Sequence, residues 1–147
     1  MIYISKHVIN GILNESKNTY PEECCGLLEG IQVSSNIKID NFHPSLNTAA
    51  NLRKEFEIDI RLRLQLQREL RNKKKKIVGV YHSHPDEIAY PSSRDMQRFW
   101  ETDMIWLISS VNNNLDCDTG VFTINDSRVL SWKKKYFNRY YNQYSQL

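Results

Sequence analysis

The chain has 147 residues, 40% of them hydrophobic and 25% charged, a length and composition that fit one soluble globular domain with its own core. The formal charge of +3 is small and confined to two runs, Lys73–Lys76 and Lys133–Lys135, so charge alone does not argue for nucleic acid. No apolar run approaches the roughly 20 residues that span a bilayer, and three cysteines without a Cys-x-x-Cys pair argue against a disulfide scaffold and for a reducing cytosol.

The first sixteen residues carry no basic region followed by an uninterrupted apolar stretch, and no small-residue cleavage site. No export signal is therefore expected, and a cytoplasmic location follows. Residues 5–18, "SKHVINGILNESKN", predict a helix: Ser5 can cap it, and Val8/Ile12 and Ile9/Leu13 fall at i, i+4. Pro21 breaks the chain. "CGLLEG" (25–30) predicts a buried strand, and "IKIDNF" (37–42) a second.

Residues 59–72, "DIRLRLQLQRELRN", alternate like a strand through Leu62, Leu64 and Leu66. Their composition is that of a helix, with Asp59 at the start and Arg71 and Lys73–Lys76 at the end, where the charges complement the dipole. A helix is expected, with the lysines as its solvated terminus. "KIVGVYHS" (76–83) reads as a central strand, and "SSRDMQRFWE" (92–101) as a short helix capped by Ser92 or Ser93. "MIWLISSV" (104–111), "GVFTIN" (120–125) and "RVLSWK" (128–133) read as three more strands, the last two joined at Asn125–Asp126. The tail holds four of the eight tyrosines; it could pack as a last helix or dock a partner or second subunit, as in a homodimer. The expected class is α/β (α+β), a mixed central sheet flanked by helices.

The chemistry concentrates in "GVYHSHPDEIAYPSSRDM" (79–96). On a strand, residues i and i+2 share a face, so His82 and His84 project together and Ser83 turns away. Pro85 cannot continue a central strand and puts the pair at its end. Two imidazoles can take two corners of a tetrahedral zinc, and a catalytic zinc takes a third protein ligand. Asp95 is the natural third, although Ser92-x-x-Asp95 also reads as a helix capping box. A hydrolytic zinc further needs a carboxylate to move protons. Glu22 and Glu23 in "PEECCGLLEG" both qualify, and periodicity does not choose between them.

These residues resemble the JAMM metalloproteases, also called MPN-plus, JAB or Mov34-type domains. Their motif is an upstream Glu, then His-x-His-Pro, six residues, Ser, two residues, Asp. Here it is His82-Ser83-His84-Pro85, residues 86–91, Ser92 and Asp95, and Glu23-Cys24-Cys25-Gly26 matches the upstream block. The segment "HPSLNTAANLRKEFEID" is similar to the connecting segment of compact bacterial members. The resemblance covers residues 1–133, a single metalloprotease domain of JAMM/cytidine-deaminase-like architecture, with 134–147 as a tail.

The resemblance implies one Zn2+ per chain held by His82, His84 and Asp95. It makes Glu23 the general base, then the acid for the departing amine, and Ser92 the donor to the oxyanion. Ser93 would then cap the helix. It further implies a peptidase or isopeptidase acting after the C-terminal tail of a ubiquitin-like or sulfur-carrier protein. The carrier is the first expectation, since the chain lacks the large insertions of eukaryotic members; a bacterial ubiquitin-like modifier is the second. Metal-free scaffolds of the family lack ligands that are all present here. A RadC-like, nucleic-acid-associated reading has the lysine runs in its favour, but the His-Ser-His-Pro form favours the peptidase branch. Cys24 and Cys25 read as buried packing, Cys117 as a loop residue, and His7 and His43 as structural or exposed.

Overall fold

A computed structural model describes residues 1–98, 103–125 and 128–137. Strands β1 (Ile2–Ser5), β2 (Cys25–Val33), β3 (Asn36–Ser45), β4 (Lys76–Pro85), β5 (Ile105–Val111), β6 (Cys117–Asn125), β7 (Arg128–Ser131) and β8 (Lys134–Phe137) form one sheet. Its order is β7-β6-β5-β4-β2-β3-β1-β8. The sheet is mixed: β1 runs parallel to β3 and β8, and β4 to β5, while the remaining pairs are antiparallel. Helices α1 (Lys6–Thr19), α2 (Ile60–Glu69) and α3 (Ser93–Arg98) flank it.

Ser5 caps α1, its hydroxyl accepting the His7 amide. That helix buries Val8, Ile9 and Ile12 against Ile4, Leu28, Ile39 and Leu107 on one face of the sheet. The opposite face carries a second core of Leu27, Val80, Trp106, Ile108, Phe122 and Ile124, closed by Leu66 of α2. Asp59 caps α2 by accepting the Arg61 amide. Leu62 and Leu66 point inward at i, i+4 spacing while Leu64 is exposed, so the helical phase prevails over the alternating leucines.

The lysine run is not the terminus of that helix. α2 ends at Glu69; Lys73–Lys75 lie in the connection to β4, where Lys75 pairs with Asp40 at 2.7 Å, and Lys76 opens β4. Two strands escaped the sequence reading, β1 and β8, and they lie side by side at the far edge of the sheet. β8 falls within the segment read as the tail; residues 138–147 lie outside the described residues, as do the last part of the 92–101 helix and Asp126. Cys117 opens β6 and does not lie in a loop.

β4 is the central strand, between β2 and β5. Leu28 pairs with Gly79 and Glu29 with Ile77, which leaves Val78 as the extra residue of a bulge. The bulge resets the alternation, so Val80 faces the α2 side with Ile77, and Val78 joins Tyr81 on the α1 side. Gly26, opposite Tyr81 on β2, lies so close to the Tyr81 ring and the His43 carbonyl that any Cβ would collide with both. The glycine of the Glu-Cys-Cys-Gly block is therefore a packing requirement.

Candidate metal centre

The site forms where β4 ends, where β2 begins and where α3 starts. His82 and His84 occupy the last turn of the β4 pleat on one face, as i, i+2 spacing requires. Both are almost fully buried. Pro85 ends the strand, and Asp86 follows at φ 58°, a left-handed conformation that Asp tolerates. The Tyr20 hydroxyl donates to both Asp86 carboxylate oxygens, at 3.0 and 2.9 Å, fixing the turn that leads back toward α3.

Asp95 completes the group. Its Oδ2 lies 3.2 Å from His82 Nε2 and 3.0 Å from His84 Nε2, and the two Nε2 atoms are 3.0 Å apart. Ligand atoms on a tetrahedral zinc with bonds of 2.0–2.1 Å are about 3.3 Å apart. The triangle needs to open by only a few tenths of an ångström to accept such an ion. His84 Nδ1 is 2.8 Å from the Ile88 carbonyl, the outward hydrogen bond that directs a lone pair on Nε2 to the centre.

Glu23 stands beside this triangle. It offers a carboxylate oxygen within 4.8 Å of nitrogen atoms of His82 and His84, and its buried Oε1 has no hydrogen-bond partner among the described residues. Strand pairing puts it there. Cys25 is opposite His82; the Cys24 amide donates to Ser83 Oγ at 2.8 Å, and the Ser83 amide to the Cys24 carbonyl at 3.0 Å. Glu22, the other candidate, is partly exposed and outside the group.

The electrostatics follow from burial and proximity. Burial pushes the Glu23 carboxyl up to about 8, with His84 opposing and Asp95 assisting. Burial alone would raise Asp95, but the two histidines and the Ser92 amide outweigh it and hold it well below the usual carboxylate range. Burial lowers His82. For His84 the same burial is overcome by Asp95 and the Ile88 carbonyl, so its pKa rises. The two imidazoles are thus unequal, burial favouring the neutral form of His82.

Ser92 is the N-cap of α3, and Ser93, which the family pattern made the cap, is its first helical residue. Ser92 Oγ accepts the Asp95 amide at 3.1 Å, and Asp95 Oδ2 accepts the Ser92 amide at 2.9 Å. This reciprocal capping box uses a lone pair of the hydroxyl, whose proton remains available to an incoming acceptor. The capping reading of Asp95 leaves room for the ligand reading, because the Oδ2 that accepts the Ser92 amide also faces both histidine Nε2 atoms.

A family model for prokaryotic homologs of the JAB domain matches residues 5–121. The chain belongs to that family. It is similar to a protein named desampylase from Haloferax volcanii, with 30% identity over 95 residues, 65% of this chain and 67% of the relative. It is also similar to the CysO-cysteine peptidase of Mycobacterium tuberculosis, 24% identical over 113 residues, 77% of this chain and 75% of the relative.

Solved structures share the JAB fold. A protein of Desulfitobacterium hafniense solved in solution aligns with a TM-score of 0.84 at 24% identity, over 94% of each chain. The crystal structure of a JAB1/MPN domain protein from Archaeoglobus fulgidus aligns at 0.61 and 18% identity, over 92% of this chain and 99% of the other.

Other parts of this JAB domain were not visible in its motif. Asn47 binds the segment before α2 to the site: its Nδ2 donates to the Glu23 and Glu55 carbonyls, and its Oδ1 accepts the Ala49 and Glu57 amides. Beside Asp95 opens a cavity of about 460 Å³ with an apolar floor that includes Phe56, Val80, Met104 and Trp106, rimmed by Arg94 and Arg98. No periodicity marks these residues, because they come from a loop, two strands and a helix. Cys24 and Cys25 are buried, and burial pushes their thiols up to about 11 and about 12, away from a nucleophilic role. His43 is paired with Glu29 at 3.0 Å, and no described helix is long and apolar enough to cross a membrane.

Proposed function

We propose that this chain is a zinc-dependent peptidase that hydrolyses the amide bond after the C-terminal tail of a ubiquitin-like or sulfur-carrier protein. The observation that carries the reading is the convergence of His82 Nε2, His84 Nε2 and Asp95 Oδ2 to within 3.0–3.2 Å, with the buried Glu23 carboxylate alongside. The names of the relatives support the substrate class. The three free cysteines fit action in a reducing compartment such as the cytoplasm.

In this reading His82, His84 and Asp95 hold one zinc ion. When bound, the ion supplies Lewis acidity toward the scissile carbonyl and lowers the pKa of a water. Glu23 takes the proton of the attacking water and delivers it to the departing amine, a role suited to a carboxyl whose proton affinity burial has raised toward neutrality. Ser92 donates a hydrogen bond from its hydroxyl to the oxyanion. The cavity beside Asp95 gives a side chain flanking the scissile bond a place to lie.

The deconjugase reading, in which the bond is an isopeptide to a lysine of a modified protein, has the desampylase relative in its favour. Purified protein should contain one zinc per chain by mass spectrometry and should trim a ubiquitin-like protein bearing a C-terminal extension. Glu23→Gln should keep the metal and lose about 10²–10⁴-fold in kcat, whereas His84→Ala should lose both. A metal-free wild type, or Glu23→Gln with unchanged turnover, would refute the mechanism. Linear extensions and lysine conjugates offered in parallel separate the two substrate readings.

A further inference from the structure

We propose that Phe56 is a positioning residue for the ligand His82, holding its imidazole by ring stacking where a hydrogen bond would ordinarily do so. This rests on the metal-centre reading and goes beyond it. The two histidines are supported differently. His84 is held through Nδ1 by the Ile88 carbonyl. His82 Nδ1 is buried and has no hydrogen-bond partner among the described residues. Metal-bound histidines almost always use that second nitrogen to fix the ring, so something else has to fix this one.

The Phe56 ring supplies the constraint. It lies parallel to the His82 imidazole, with centroids 4.1 Å apart and an interplanar angle of 17°. Trp106 meets the imidazole edge-on, at 5.6 Å and 88°, and touches Phe56 at 6.1 Å and 78°. Two aromatic planes at right angles leave the imidazole little freedom to rotate or tip. Trp106 projects from the interior strand β5, whereas Phe56 comes from a loop and has to be held in place.

That loop is fastened on both sides of Phe56. Asn47 binds the carbonyl of Glu55 and the amide of Glu57. Glu55 pairs with Arg98 at 3.3 Å, and Lys54 with Glu87 at 3.6 Å, which links the loop to α3 and to the turn after β4. Phe56 is also a wall of the cavity beside Asp95. One side of its ring faces a ligand, and its surroundings are open to whatever the cavity admits.

The test is zinc affinity, measured by competition with a chelating dye on wild type, Phe56→Ala, Phe56→Leu and Phe56→Tyr, with thermal unfolding of each metal-free protein alongside. Phe56→Ala should weaken zinc binding by about 10–100-fold, the range found for outer groups that orient ligands. Phe56→Leu fills the space without a flat face and should lose several-fold. Phe56→Tyr keeps the stack and should bind like wild type. A merely structural role would lower the unfolding midpoint and leave zinc affinity unmoved. Phe56→Leu or Phe56→Ala binding zinc within twofold of wild type would overturn the proposal, and Phe56→Leu decides it should Phe56→Ala not fold. A wild type that binds no zinc overturns the metal-centre reading instead, a result distinguishable from the first.

Discussion

Shifted titratable side chains lie on both faces of β4. On the metal-centre face the carboxylates and imidazoles shift one another. On the opposite face the Tyr81 hydroxyl donates to Glu15 Oε2 at 2.6 Å. Burial raises the Glu15 pKa above its ordinary 4.5, only partly offset by that hydrogen bond. The folded protein therefore binds this proton more tightly than the unfolded chain. The associated stability is complete below about pH 4.5 and is lost as pH rises through the folded value. Glu15→Gln keeps an acceptor for Tyr81 and removes the titration. Unfolding midpoints measured from pH 4 to 8 should fall less steeply above pH 4.5 in the variant. Equal slopes would mean that Glu15 is not shifted. Nothing in "GILNESKN" announced this pair, since its two members are 66 residues apart and meet only once α1 lies on the sheet.

Between elements, the junction of β2 and β4 does the most to assemble the site. Ser83, turned away from the histidines by the strand alternation, accepts the Cys24 amide and donates its own amide to the Cys24 carbonyl. Ser83→Ala leaves a buried N–H without an acceptor and should cost about 1–3 kcal/mol in urea unfolding. It should leave zinc content unchanged and reduce kcat, because Glu23 hangs from the same junction. The elements with local signals were legible: Ser5 and Asp59 as caps, the i, i+4 pairs of α1, the apolar run of β4 and its proline stop. What was not legible depends on partners distant in sequence. β1 is four residues long, and β8 begins in a tail read as either a last helix or a docking segment. β1 is a strand through its pairing with β3 and β8, and β8 through its pairing with β1. The Val78 bulge is equally invisible in "KIVGVYHS", where residues 77–80 around it are all apolar or glycine.

For the molecule as a whole, the pairing of β1 with β8 brings the start of the chain against residues 134–137. The expected boundary at residue 133 therefore has a physical test. A chain ending at 133 would lose the burial of Phe137 and the contact of Lys38 with its ring, and would leave β1 as a bare edge. Its unfolding midpoint should drop by about 4–8 °C, and it should self-associate in light scattering. An unchanged midpoint and a monodisperse sample would show that the domain is complete at 133. The motif read well because its spacing encodes a strand end, a turn and a helix start, all local. The aromatic support of His82 and the Asn47 latch did not, since each joins segments far apart in sequence.

Asp95 Oδ2 caps α3 and, in the proposed function, binds the ion with the same atom. Occupancy of the centre and the local unfolding of this helix are then thermodynamically linked. A charge that drew the carboxylate away from the Ser92 amide would loosen the first turn, and one that held it in place would deepen the well in which that turn sits. The rate at which the α3 amides exchange with solvent, expected to fall when the ion is bound, thus becomes a gauge of the metal site, readable without any substrate.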